Sequence, residues 1–145
     1  MRRLPLLLAL ALCLLTGCSS DAGGIPEGLT WTAQVLQSQE DGAILAAASG
    51  EDGGRAVPVL DITAQVEKGE VTLTDHASGE TCTGSLAPRA DAAPGSQIYT
   101  LRFPDRPEGH AVYGVTEYAG GGREATLYLT MEQRTLRLTA PLPEE

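Results

Sequence analysis

The chain has 145 residues and a net charge of −9, from 10 basic and 19 acidic side chains. That balance excludes the basic footprint which nucleic-acid binding requires, and it offers no charge attraction to anionic lipid. The length fits one domain.

Residues 6–15 form an unbroken apolar run preceded by Arg2 and Arg3. A helix crossing the hydrocarbon core needs about 20 apolar residues, and roughly 17 at the shortest. The run is too short to span. A basic start, a short apolar stretch and small residues after it describe a secretory signal. Leu15, Thr16, Gly17 and Cys18 close the stretch, and these four positions resemble the lipobox of bacterial lipoproteins. The resemblance implies cleavage between Gly17 and Cys18, a diacylglyceryl thioether on the Cys18 sulfur, and a new amino terminus open to a further acyl chain. Two acyl chains at ~0.8 kcal/mol per buried methylene anchor a protein stably, where one chain binds marginally. The expectation is a protein held on the extracytoplasmic face of a bacterial membrane, with covalent diacylglycerol on Cys18 and no other cofactor. Ser19 stands where an aspartate would mark inner-membrane retention, so inner and outer membranes both stay open.

Loss of residues 1–17 leaves 128 residues with 8 basic and 19 acidic side chains, a net charge of −11. Cys13 departs with the signal and Cys18 carries lipid, so Cys82 has no partner for an intramolecular disulfide. It shares a face with Leu86 on an alternating run, which predicts a buried and unreactive thiol.

Residues 18–28 are small, polar and glycine-rich, and read as a lipidated flexible tether. From residue 29 to 141 the pattern has period two, as half-buried strands require. Leu29, Trp31, Ala33 and Val35 share one face of the first run. Residues 43–49, rich in alanine, read as either a strand or a helical turn. Leu60, Ile62, Ala64 and Val66 alternate with polar residues, as do Val71 and Leu73 after the turn EKGE. Further runs place Cys82 with Leu86, Tyr99 with Leu101 and Phe103, and Ala111 with Tyr113 and Val115. The last two align Ala125, Leu127, Leu129 and Met131, then Leu136, Leu138 and Ala140. QEDG, ASGE and AGGGR supply turn chemistry, and proline-stiffened loops occupy residues 87–95 and 104–109. Eight or nine strands at this spacing predict an all-β domain, an antiparallel meander closed or nearly closed into a barrel, with a β-sandwich as the alternative. A closed barrel also disposes of exposed edges.

Little in the chain carries catalytic chemistry. Asp75, His76 and Ser78 lie close together in sequence, but triads are assembled by folds rather than by adjacency, and turns are made of such residues. No G-x-S-x-G elbow occurs. His76, His110 and Cys82 lie on separate segments without metal-ligand spacing, and the acidic turns match no calcium loop. The expectation is a protein that is not an enzyme and holds no metal. The aromatic residues Trp31, Tyr99, Phe103, Tyr113, Tyr118 and Tyr128 form the candidate binding surface, either a wall for a small apolar ligand or a face for an envelope protein partner.

The pattern as a whole resembles the small lipocalin-like barrels of bacterial envelopes, with Trp31 in "GLTWTAQ" matching the first-strand tryptophan of that family. "PGSQIY" and "GREATLYL" (residues 94–99 and 122–129) are similar in order to two pieces of the lipoprotein inhibitors of c-type lysozyme. The first resemblance implies a ligand-binding barrel, the second a protein-binding one.

Overall fold

The computed structural model describes residues 24–89 and 97–143. The expected signal, the expected lipobox with Cys18, the first part of the expected tether and most of the first proline loop lie outside the described residues. Eleven strands follow in chain order: β1 (Trp31–Ser38), β2 (Ile44–Ala47), β3 (Glu51–Asp52), β4 (Arg55–Ala56), β5 (Ile62–Glu67), β6 (Glu70–Asp75), β7 (Thr81–Pro88), β8 (Ile98–Arg102), β9 (Gly109–Glu117), β10 (Arg123–Met131) and β11 (Arg134–Pro141). Among the described residues there is no helix, and residues 44–47 of the alanine-rich stretch are strand.

From β5 to β11 each strand pairs antiparallel with the next. β1 closes the ring: one edge runs along β11, from Thr32↔Thr139 to Ser38↔Arg134, and its start pairs with β5 at Trp31↔Ala64. The result is a closed eight-stranded antiparallel barrel, with β2 added to the outer half of β1 as a ninth strand of the sheet. β3 and β4 form a separate hairpin that leaves the seam between β2 and β5. Two-residue turns with positive φ set the register on either side of the meander. Lys68 and Gly69 join β5 to β6 at φ 50° and 73°, and Glu132 and Gln133 join β10 to β11 at 48° and 65°. Such turns match the twist of antiparallel strands.

An eight-stranded barrel has an interior just wide enough for side chains to fill, and here they fill it. Trp31, Leu101, Leu127, Leu138 and Val71 are fully enclosed. Small residues make the room. The indole of Trp31 lies opposite Ala64, and Ala33, Ala111, Ala125 and Ala140 line the same core.

Three local expectations change. A β-bulge between Ala33 and Val35 switches the parity of β1. Val35 turns to the outer face, opposite Arg137, and Leu36 points inward, opposite Leu136. Next, Ile25 and Leu29 pack against the core, and Glu27 Oε1 accepts the Lys68 backbone N–H at 2.7 Å. The described end of the tether, residues 24–28, therefore belongs to the domain. Leu142 packs there too. Lastly, Cys82 is exposed. Its register opposite Leu73 and its parity with buried Gly84 and Leu86 do place it on the inner face. It sits near the strand's start, however, where the barrel wall runs past the packed interior.

Candidate functional site

The two ends of the barrel differ. At the tether end the chain enters through residues 24–30, and Ile25, Leu29 and Leu142 cover the interior. At the far end, four turns and the start of β5 surround the opening. Backbone hydrogen bonds tie them together: Gln39 N–H to Gln133 O at 2.7 Å, and His76 N–H to Asp61 O at 2.9 Å. An ion pair of 3.1 Å joins Arg106 to Glu132 across the β8–β9 and β10–β11 turns.

Inside this ring lies a recess of about 190 Å³, floored by Leu36, Leu73, Leu129, Met131 and Leu136, with Arg106, Glu132 and Arg134 on its rim. The bulge in β1 helps to build it, because only the switched parity aims Leu36 inward. Gly109 helps as well. A Cβ there would collide with the Thr130 carbonyl and stand 2.6 Å from Met131 Cγ, so a bare backbone at this point lets Met131 lie against the wall. The rim is strained. Asp105, Glu132 and Gln133 hold positive φ without being glycine, at a cost of roughly 1–3 kcal/mol each.

The six aromatic residues separate into three groups. Trp31, Tyr99 and Tyr113 lie toward the tether end: Trp31 meets Tyr113 edge-on, and the Tyr99 hydroxyl donates to Gln97 Oε1 at 3.0 Å. Burial pushes the phenol pKa of both Tyr99 and Tyr113 up. Phe103 is buried in the far half, its ring filling the space that Gly84 leaves. Tyr118 and Tyr128 lie on the outer surface, 53% and 40% exposed. The Tyr118 hydroxyl donates to Glu124 Oε1 at 3.1 Å, which raises its pKa. These residues therefore form no single wall, and none of them lines the far recess.

Of the residues that floor it, Leu73, Leu129, Met131 and Leu136 were legible as inward positions and Leu36 was not. Leu129, Met131 and Leu136 stand on alternating runs, but nothing in a period-two pattern says which end of a barrel stays open. The one local signal is the turn Met131-Glu132-Gln133-Arg134, whose two central positions need positive φ and carry no glycine.

The Asp75–Glu80 turn satisfies itself. Asp75 Oδ1 accepts the Ala77 N–H at 3.0 Å, and Ser78 Oγ accepts the Glu80 N–H at 3.2 Å. His76 Nε2 lies 2.8 Å from Thr63 Oγ1, on the neighbouring strand. Among the described residues no three His, Cys, Asp or Glu side chains gather as a metal site would need.

A second recess of about 190 Å³ lies at the tether end, between Ile25, Val66, Leu86, Pro88 and Tyr99. The described residues thus define a small up-and-down antiparallel barrel with a filled lumen and an apolar recess toward each end. No family model matches the chain, and neither a curated protein nor a solved structure does.

Proposed function

We propose that this chain is a lipid-anchored, non-catalytic binding protein on the extracytoplasmic face of a bacterial membrane, and that its far mouth takes a small apolar ligand or an apolar side chain of an envelope protein. One observation carries the reading. The lumen is filled, and one apolar recess, ringed by turns, opens at the end opposite the one where the chain enters, while the recess at the other end lies against the entering segment at Gly24, Ile25 and Glu27. Six peptide units separate Cys18 from Gly24, a reach of about 20 Å when fully extended. An anchor on Cys18 would therefore hold the tether end against the membrane and turn the mouth away from it. A recess of about 190 Å³ is smaller than the roughly 300–1,000 Å³ of ordinary ligand pockets, so its occupant is a small molecule or part of a larger one.

Two measurements test this. Radiolabelled palmitate should enter the wild-type chain and not Cys18→Ser, which should accumulate as uncleaved precursor. The neutral fluorophore 1-aminoanthracene should brighten with wild-type protein and not with Met131→Gln. Label retained by Cys18→Ser, or fluorescence indifferent to Met131, would count against the anchor or the mouth respectively.

A further inference from the structure

The far mouth is apolar at its centre and acidic around it. Residues 39–43, 60–62, 75–81, 102–109 and 131–134 form this end, and they carry eight carboxylates against three guanidinium groups, a net charge of −5. Two of the three cations are already engaged: Arg102 with Glu108 at 2.7 Å and Arg106 with Glu132 at 3.1 Å. Among the described residues Glu40, Asp61, Glu80 and Asp105 make no ion pair, and all four are exposed. They come from four separate segments, so they surround the recess instead of clustering on one side of it.

This arrangement selects a partner by chemistry. An anionic ligand would meet the ring's repulsion before reaching the floor. A neutral apolar molecule could use the floor but would leave the ring unanswered. A basic segment answers both when it presents one apolar side chain flanked by lysine or arginine. The side chain enters among Leu36, Leu73, Leu129, Met131 and Leu136, and the flanking cations meet the unpaired carboxylates. We infer that the far mouth docks a cationic protein segment through one inserted apolar residue. The inference rests on the proposed use of this mouth and names the partner's chemistry. The charge ring would raise the encounter rate and select against acidic partners, and the recess would supply the anchor residue that protein interfaces concentrate their energy on.

The test uses the full chain in neutral phosphatidylcholine vesicles, with fluorescently labelled peptides as probes and empty vesicles as the blank. Lys-Lys-Leu-Lys-Lys should bind, with affinity falling as salt rises. Lys-Lys-Gly-Lys-Lys should bind about tenfold more weakly, the worth of one buried leucine side chain. Glu-Glu-Leu-Glu-Glu should not bind. The triple variant Glu40→Gln, Glu80→Gln, Asp105→Asn changes only exposed turn side chains, and asparagine tolerates the positive φ of Asp105. It should lose most of the affinity for the leucine peptide while its circular dichroism stays that of the wild type. Met131→Gln should reduce the leucine peptide to the level of the glycine one. Equal binding of leucine and glycine peptides, binding of the acidic peptide, or no peptide binding at all would overturn the inference. If 1-aminoanthracene still binds in a Met131-dependent way while no peptide does, the mouth survives as a binding site and only the cationic partner falls.

Discussion

The indole of Trp31 and the ring of Tyr113 meet edge to face, their centroids 6.3 Å apart and their planes at 81°. Trp31 is fully enclosed, and its Nε1 is buried with no hydrogen-bond partner among the described residues. Two effects of opposite sign therefore act at one residue. Indole burial stabilises the barrel, and the orphan N–H costs about 1–3 kcal/mol. Trp31→Phe removes the orphan along with part of the volume, and should cost less than about 2 kcal/mol, whereas Trp31→Ala should cost about 3–5 kcal/mol. Urea unfolding of both variants checks this. A phenylalanine variant as unstable as the alanine one would mean that the N–H is satisfied in solution.

The glycines of the barrel divide by what a side chain would meet. At Gly84 a Cβ would stand 2.9 Å from the Arg102 carbonyl and from the Phe103 ring, and at Gly109 it would strike the Thr130 backbone. At Gly114, on the same strand as Gly109, nothing lies within 4 Å. Gly109→Ala and Gly84→Ala should each destabilise by about 1–3 kcal/mol or more. Gly114→Ala should be neutral or stabilising by up to about 1 kcal/mol, because it restricts the unfolded chain. Thermal denaturation of the three variants separates the cases, and Gly109→Ala should also weaken 1-aminoanthracene binding by displacing Met131.

Period-two alternation made the barrel legible because each inward position must be apolar and each strand must join its neighbour. The details that shape the mouth were not legible, for reasons of the same physics. A bulge adds one residue without changing composition, so the switch from Val35 to Leu36 leaves no mark in "WTAQVLQS". Parity gave Cys82 its face, but exposure depends on how far a strand outruns the packed core, which alternation does not encode. Phe103 fills the space at Gly84 only through the pairing of β7 with β8, a contact made by register rather than by local sequence.

Thr126 shows another such limit. It stands on the outer face of β10, yet is 7% exposed, and Thr139 beside it accepts a hydrogen bond from Gln34 Nε2 at 3.2 Å. Leu127 lies on the inner face of the same strand and is fully enclosed. Both faces are covered here, so alternation alone overstates their difference. Leu127→Asp should prevent folding or cost several kcal/mol, because it buries a charge without a partner. Thr126→Asp should also be costly, by about 1–3 kcal/mol, unlike Thr100→Asp on half-buried β8. Chemical denaturation of the three variants would show the order, and a neutral Thr126→Asp would mean that the outer face opens in solution.

The two partly buried phenols make stability depend on alkaline pH. Burial holds the pKa of Tyr99 and Tyr113 above the ordinary tyrosine value, so the folded chain keeps protons that the unfolded chain releases near about pH 10. Above that point the unfolded state binds fewer protons, and stability must fall as pH rises. The contribution is complete below about pH 10 and disappears as pH climbs through the raised folded values. Urea midpoints measured between neutrality and strongly alkaline pH should show this decline, and the double variant Tyr99→Phe, Tyr113→Phe should flatten it. A decline unchanged in that variant would assign the alkaline sensitivity to other groups. Tyr118 tests the assignment separately. Its raised pKa comes first from the hydrogen bond to Glu124, so Glu124→Gln should lower it toward the ordinary tyrosine value and remove the Tyr118 share of the alkaline decline, leaving that of Tyr99 and Tyr113 in place.

Cys82 is exposed, and this reverses the behaviour expected of a residue that alternates with Leu86. The thiol stands on the inner parity of β7 opposite Leu73, and Leu73 is part of the recess floor. It should therefore react with a thiol reagent in the native state nearly as fast as in denaturant, without prior unfolding. Because it sits at the opening, a bulky adduct on it should also interfere with 1-aminoanthracene, whereas Cys82→Ala should bind the fluorophore as the wild type does. Slow native labelling would mean that the β6–β7 turn covers the thiol in solution. Rapid labelling with no effect on the fluorophore would place the opening farther from Cys82 than its register with Leu73 implies.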